Sequence, residues 1–413
     1  MSHLISVQES LERILTAFSP VETEAVPLRE AYGRVLSRPV TAPFDFPPFT
    51  NSSMDGFAVI AADTLPASTD KPVWLRTVAD IPAGSHFDGS IRPGEAARIM
   101  TGAPLPEGAD AVVPVESTHI GARFDGSAMP EKVGILQPVS PGDNVRPRGQ
   151  DVRAGAPVLS AGTALRPQDI GMLASLGFTS VEVHRLPRIT VFSTGDELVQ
   201  PGEDLTPGKI YDSNSYVLRG LTRQSGCQVI DLGLAKDDPD QVRALFEEAV
   251  RQQADLILSS AGVSVGAYDY VRQVIESEGK LSLWRVNMRP GKPLTFGRYQ
   301  NVPFLGLAGN PVSAFVGYQV FVLPVLQKLR GLPALQRRSV KAVTGEPIRT
   351  DGRESYLRAR VTVEGGIYRA VLSGHQGSGN LFSLIQANAL LIVPSGVKSL
   401  PIGAELVAWL LDE

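Results

Sequence analysis

The sequence predicts an α/β multidomain chain: a doubly wound parallel-sheet domain, a helical/extended segment, a small β-rich domain and a C-terminal all-β domain. Three observations predict it. From Leu186 onward, apolar runs closed by polar or glycine turns alternate with helical patterns, as parallel strands joined by helices require. From about Pro48 to Gly149, short β-branched runs are separated by Pro and Gly, a pattern of small strands. After Gly331-Leu332-Pro333, apolar and polar residues alternate, so strands return.

Taken in order, Ser6 to Phe18 carries Leu11, Ile14, Leu15 and Phe18 at helical spacing, and Val26 to Leu36 repeats this more weakly before Pro39; both read as helical. Pro43 to Pro48 breaks that pattern. V-W-L-R-T-V and A-A-R-I-M then read as strands. R-I-T-V-F-S, Q-V-I-D-L-G, D-L-I-L-S-S and V-P-F-L-G-L are the candidate parallel strands. Sheets of this kind bind ligands at the carboxyl ends of their strands, here the segments beginning Thr194, Gly233, Ala261 and Ala308. In the last domain the strands are Tyr356 to Val363, Tyr368 to Leu372, Leu390 to Val393 and Leu406 to Leu410, with a turn at Gly365-Gly366.

Composition bounds the function. The 413 residues suffice for two to four domains at roughly 100–200 residues each. With 39 basic and 43 acidic residues the net charge is −4, which argues against a broad nucleic-acid surface. A single cysteine, Cys227, excludes an intrachain disulfide framework, a thiolate zinc cluster and a C-x-x-C pair, and suits an intracellular compartment. The five histidines are scattered, so a metal would be held by oxygens. The N-terminus lacks a basic region followed by an apolar core, so no signal peptide is expected. The uncharged stretch from Tyr299 to Gln327 contains Pro303, Asn310, Pro311, Gln319 and Pro324 and reads as a buried strand, a turn and a core helix rather than a membrane span.

Four loops carry chemistry. In S-T-G-D-E-L, Ser193, Thr194 and the following amides suit an anion while Asp196 or Glu197 suits a cation; an ordinary strand-to-loop turn has the same composition. S-S-A-G-V-S-V-G-A-Y-D, with Gly262, Ser264 and Gly266, brings main-chain amides near a phosphate without being a Walker loop. M-R-P-G-K-P fixes Arg289 and Lys292 between prolines, and L-A-G-N-P-V-S places Pro311 in the first turn of a helix with Asn310 as its cap. Cations fixed beside a helix N-terminus make an anion site; otherwise they are solvated charges. N-S-S-M-D-G-F-A and R-I-M-T-G-A-P-L-P read equally well as turns, Asp55-Gly56 being a common turn pair.

Together with P-G-D-N-V-R-P-R-G-Q-D, A-K-D-D-P and G-H-Q-G-S-G, these strings occur in an order that resembles the molybdopterin molybdenumtransferase family, which includes the E domain of gephyrin. The resemblance spans nearly the whole chain. It implies an L-shaped, cytoplasmic homodimer of four-domain subunits: a discontinuous N-terminal dimerisation domain over 1–46 and 150–186, a β-rich domain over 47–149, an α/β molybdopterin-binding domain over 187–330 and a C-terminal β-barrel-like domain over 331–413. The implied reaction inserts molybdate into the dithiolene of adenylylated molybdopterin and releases AMP, with a divalent cation, usually Mg²⁺. By motif position, Glu197, Asp237 and Asp269 match active-site acids and metal ligands. Asp55 matches a further catalytic position. Thr101, Arg146, Asp151, Arg289, Lys292, Asn310, Pro311 and Ser313 match substrate-binding positions, some supplied by the partner subunit; Arg358 and Ser378 match positions that face the oxyanion. The implied partners are a molybdopterin adenylyltransferase and molybdoenzyme apoproteins, without nucleic acid or membrane. Departures are Ala308 where the family has proline, Ala261-Gly262 where it has G-G, and Arg285 and Arg289 where many relatives have lysine. The competing readings are a non-catalytic pterin-binding scaffold and a related nucleotide or pterin phosphohydrolase.

Overall fold

The structure, a computed structural model, describes residues 4–121, 128–261, 270–333 and 337–411. Contacts group the chain into two units, Met1–Arg38 with Ala161–Ile170 and Thr179–Glu413, and Pro39–Ser160 with Gly171–Phe178.

The first unit is built on a six-stranded sheet. In spatial order its strands are Gln228–Ala235, Arg188–Thr194, Leu256–Ser260, Val302–Leu307, Pro293–Tyr299 and Gly279–Arg285. The first four pair in parallel, and Pro293–Tyr299 pairs antiparallel with both Val302–Leu307 and Gly279–Arg285. The sheet is therefore mixed, not wholly parallel as predicted. The difference arises because Pro293–Tyr299 returns to Val302–Leu307 through a hairpin at Gln300-Asn301, needing no crossover helix. The central strands are buried throughout, as Leu256–Ser260 shows, which explains their continuous apolar runs.

The helices follow from capping and periodicity. Asp238 caps Pro239–Arg251 by accepting from the amides of Asp240 and Gln241, and Val242, Phe246 and Ala249 form its buried stripe. At the N-terminus, Ser6 Oγ accepts from the Glu9 amide at 3.1 Å to start the helix Val7–Leu15. Pro311–Leu329 is helical, with a π segment at Tyr318–Val322. It is long and apolar enough to cross a membrane, yet 78% of its apolar window is buried in the core, as expected for a core helix. Val26 to Leu36 is not the helix its pattern suggests. Thr23–Pro27 pairs antiparallel with Ser180–His184 and only Leu28–Glu30 forms a 3₁₀ turn; a partner more than 150 residues away overrides local periodicity.

The C-terminal strands close a barrel. Glu354–Glu364, Ile367–Leu372, Ser339–Thr344, Glu405–Leu410 and Ala389–Val393 pair in that order, and Ala389–Val393 pairs back onto Glu354–Glu364. Ala342, Ala359, Ala370, Ala389 and Ala408 are fully or almost fully buried, small side chains suited to a narrow interior. Met288–Arg289 of the basic segment pairs with Glu354–Ser355 of the barrel.

In the second unit a five-stranded sheet runs Ala111–Pro114, Gly56–Val59, Glu95–Ile99, Val73–Ile81, Lys132–Ile135. Gly56, predicted in a turn, lies in a strand and pairs on both sides, with Ile99 and Pro114. A Cβ there would stand 2.1 Å from the Val113 carbonyl oxygen, so close backbone approach explains the glycine.

Candidate functional site

Sheet register assembles the site. Leu234 lies beside Ser193, Ser193 beside Ser260, Ser260 beside Leu307 and Leu307 beside Leu294. This row crosses the sheet at the carboxyl ends of its parallel strands. Immediately beyond it come Thr194–Glu197, Lys236–Asp238, Ala261 and Ala308–Pro311, and immediately before Leu294 comes the basic segment 288–293. Five separate stretches of sequence thus open at one edge.

The acidic part is compact. The Asp196 amide donates to Asp237 Oδ2 at 3.4 Å and the Asp237 amide donates to Asp196 Oδ1 at 3.2 Å. Gly195 has φ +155°, and a Cβ on it would lie 2.7 Å from Glu197 Oε2, so glycine is needed for Glu197 to fold back over the turn. Burial holds the Asp237 carboxyl above its ordinary range; the Asp196 amide opposes this, and the charges of Asp196 and Glu197 add to the rise. Carboxylates that repel one another in a half-buried site favour a bound cation. Among the described residues no group of three or more Asp, Glu, His or Cys side chains is arranged to hold a metal. Asp269, the third expected ligand, and Gly262, Ser264 and Gly266 lie outside the described residues.

Ser193 and Thr194 are buried. Ser193 Oγ contacts Asp212 Oδ1 at 3.2 Å, and that oxygen also accepts from the Ser215 amide; Ser193 thus has an internal partner. Asn214 Nδ2 donates to Ser260 Oγ and to the Gly309 carbonyl, each at 2.7 Å, tying the strand end before Ala261 to the stretch Ala308–Pro311. Thr194 Oγ1, Asp212 Oδ2 and Asn214 Oδ1 are buried without a hydrogen-bond partner among the described residues. Such groups are rare in native interiors, and a water, an ion or a ligand atom would satisfy them. Asp212 and Asn214 are not among the residues expected from the motifs, although D-S-N before the amphipathic helix Asn214–Gln224 is a capping signature.

The basic part meets the barrel. Asn310 is the N-cap residue by backbone geometry, but its side chain makes no capping bond. The Val312 amide instead donates to the Ser378 carbonyl at 3.0 Å, so the G-H-Q-G-S-G loop supplies the cap. Pro311 occupies the first turn and Ser313 is buried within it. Arg289 Nη1 lies 3.5 Å from Asp351 Oδ2. The Asp351 carboxyl is held down to about 2, first by the Arg353 guanidinium. Lys292 is exposed.

Arg358, expected to face the oxyanion, is enclosed by the barrel loop. It is 0% exposed, and its guanidinium donates to Ser383 Oγ (3.0 Å) and to the carbonyls of Gln376 (3.2 Å), His375 (3.1 Å) and Gly377 (3.0 Å). Those bonds fix the loop that carries Ser378. Burial and the neighbouring Arg289 charge lower its pKa to about 10. Among the described residues the guanidinium's partners are thus all within the barrel, and its bonds hold that loop in place.

The remaining residues form a cluster in the second unit. Thr101 donates to Asp55 Oδ1 through its amide at 2.7 Å and its hydroxyl at 2.8 Å. Arg146 forms an ion pair with Asp151, and Arg146 pairs with Asn51 across the short ladder Asn51–Ser52 with Val145–Arg146. The Gly102 amide donates to the Ser52 carbonyl at 2.8 Å, linking the two pairs.

Comparison with known proteins agrees along the whole chain. Residues 5–177 match the family described as MoeA N-terminal region (domain I and II), 190–328 the probable molybdopterin binding domain, and 341–411 the MoeA C-terminal region (domain IV). A protein of a Nostoc species named molybdopterin molybdenumtransferase is 40% identical over 94% of this chain and 89% of its own. Molybdopterin molybdenumtransferase 2 of Mycobacterium tuberculosis is 38% identical over 98% and 99%. A solved molybdopterin biosynthesis moeA protein of Pyrococcus horikoshii superposes with a TM-score of 0.82 at 32% identity, covering 99% of this chain and 100% of that one.

Proposed function

Because the chain belongs to the molybdopterin molybdenumtransferase family, we propose that it inserts molybdenum into molybdopterin by taking the adenylylated pterin and molybdate as substrates and releasing AMP. The observation that carries this reading is the row across the sheet edge. Along it an acidic loop pair, Asp196–Glu197 and Asp237, follows two parallel strands, and a basic segment, Arg289 to Lys292, precedes the antiparallel strand that joins the same row.

The substrates combine a phosphoanhydride with a tetrahedral oxyanion, so the site must neutralise negative charge and admit a cation. Arg289 and Lys292 provide fixed positive charge, and Arg289 brings a planar fork suited to oxyanions. In the first turn at Pro311–Ser313 the proline has no N–H and the Val312 amide is bonded to the Ser378 carbonyl, so the Ser313 amide is the one that remains beside this segment. Glu197 and Asp237 fit a hard divalent cation such as Mg²⁺, which takes one or two carboxylates and completes its shell with water and substrate phosphate; Asp269 would join them. When bound, the ion polarises phosphoryl oxygens and offsets charge on the leaving AMP. The raised pKa of Asp237 means that this carboxyl holds a proton more readily than free aspartate, and cation binding would displace it.

We further propose a cytoplasmic homodimer in which Asp55, Thr101, Arg146 and Asp151 of one subunit complete the site of the other. The adenylyltransferase that makes the substrate and the apoenzymes that accept the product are its partners. The deciding experiment is molybdate-dependent AMP release from adenylylated molybdopterin by the purified chain. Release without molybdate would favour a phosphohydrolase, and binding without release a scaffold.

A further inference from the structure

Away from the strand-end row, a cavity of about 650 Å³ opens in the first unit between the core helix Pro311–Leu329 and the last strand of the barrel. That is within the range of small-molecule sites, about 300–1,000 Å³. Its walls combine Tyr318, Leu323 and Trp409 with Arg330 and Arg337, and no acidic side chain among the described residues lines it. Both guanidiniums are largely withdrawn from water, and neither is paired with a carboxylate among the described residues. Arg330 donates to the carbonyls of Ser225 (3.0 Å) and Gly33 (2.7 Å). Arg337 donates to the Gln319 carbonyl and stacks over the Trp409 ring, its central carbon 3.6 Å from the ring centroid. Burial holds the Arg337 guanidinium down to about 10. Carbonyl dipoles and a π face leave the two charges uncompensated, and a buried cation without an anion is a standing cost. A purely structural clamp between helix and barrel would be served as well by an apolar residue. The arrangement instead offers a cationic pole beside an aromatic and aliphatic wall.

From these walls we infer that the cavity is a binding site for a small organic anion, a carboxylate or phosphate ester carried on a flat apolar body, with the anionic group at Arg337 and the body against Trp409 and Leu323. It is separate from the molybdenum chemistry and does not depend on it. A concave cavity of this size suits a free small molecule better than the side chain of a docked protein.

The test uses the full-length protein and three probes: 2-naphthoate, its neutral carboxamide and inorganic phosphate, titrated by calorimetry. Naphthoate should saturate, with the amide at least about tenfold weaker, a gap of about 1.4 kcal/mol, and phosphate weaker than naphthoate because it lacks the apolar body. Arg337→Gln should remove the preference for acid over amide. Leu323→Trp, which fills the cavity and leaves the guanidinium in place, should abolish binding of both, so the inference stays testable if one variant fails to fold. Equal affinity for acid and amide, no saturation by naphthoate, an Arg337→Gln affinity within about twofold of wild type, or displacement of naphthoate by molybdate would each overturn it.

Discussion

Replacing Arg358 with alanine tests how the barrel serves the site. Its guanidinium makes four bonds, to Ser383 Oγ and to three successive carbonyls at His375, Gln376 and Gly377. Hydrogen bonds to a charged group contribute about 1.5–3 kcal/mol each, so the gross gain is on the order of 6–12 kcal/mol. Against it stands the burial of a guanidinium with no carboxylate partner among the described residues, several kcal/mol by itself. Removing one partner of a buried charged contact costs about 3 kcal/mol or more, and truncation would also leave carbonyls without their donor. About 3 kcal/mol corresponds to more than a hundredfold in the opening equilibrium of the loop 373–380. Hydrogen exchange of that loop should accelerate by this factor, and with it the exchange of the Val312 amide, whose acceptor is the Ser378 carbonyl. In the molybdate-dependent AMP assay the half-saturating molybdate concentration should rise about tenfold or more, while pterin affinity stays within about twofold. Unchanged exchange at 373–380 and Val312, combined with a lost molybdate response, would refute the positioning argument and return Arg358 to direct contact.

The remaining expectations concern the acids and the second unit. Glu197→Gln keeps shape but removes a charge worth several kcal/mol in the transition state, so turnover should fall well over tenfold; near-normal AMP release would count against a carboxylate-held cation. Asp237 keeps its proton in the folded protein at a pH where the unfolded chain has lost it, so its contribution to stability falls as pH rises from about 4 through the raised folded value. Asp237→Asn should therefore raise the melting temperature at neutral pH without divalent cation and lose any Mg²⁺-induced increment, as differential scanning calorimetry would show. Gly56→Ala drives a Cβ to 2.1 Å from the Val113 oxygen and should destabilise the sheet of the second unit by more than about 3 kcal/mol, visible as loss of soluble protein. Mixing inactive Asp55→Asn with inactive Asp269→Asn subunits should restore AMP release if sites are shared across a dimer, and verified exchange without rescue would exclude sharing.

Much of the first unit was legible because its determinants are local. Parallel strands buried on both faces must be continuous apolar runs, and R-I-T-V-F-S and D-L-I-L-S-S can be read as such without any partner. Their carboxyl ends then locate Glu197 and Asn310 from the order of residues, while Asp237 is singled out by the resemblance that A-K-D-D-P carries. What stayed hidden depends on distant partners. Thr23–Pro27 is a strand only because Ser180–His184 lies beside it. Gly56 looks like a turn glycine until two strands press against it. The alternation Tyr356, Arg358, Arg360 shows that these three share a face of their strand, but not that Arg358 is covered while Arg360 is exposed. Periodicity reports which face a residue is on and is silent about what lies over it.

Arg358 also shows how a site can place a cation without presenting it. With no carboxylate partner among the described residues, its charge would add to the positive potential of Arg289, with which it interacts unfavourably, and so would raise the affinity of the neighbourhood for an oxyanion even with no direct contact. Asp351 limits that repulsion by lying 3.5 Å from Arg289 while binding Arg353, and Arg353 donates to the Met288 carbonyl at 3.0 Å. The strand pairing of Met288–Arg289 with Glu354–Ser355 holds the barrel to the basic segment, and the bond from Val312 to Ser378 holds it to the start of the core helix. Cations packed this closely repel one another unless an anion is present, so molybdate or substrate phosphate should stabilise this region selectively. Asp351→Asn removes the internal counter-charge. It should lower stability without oxyanion and enlarge the rise in melting temperature that molybdate produces; equal molybdate shifts in variant and wild type would mean that the repulsion is already screened by solvent.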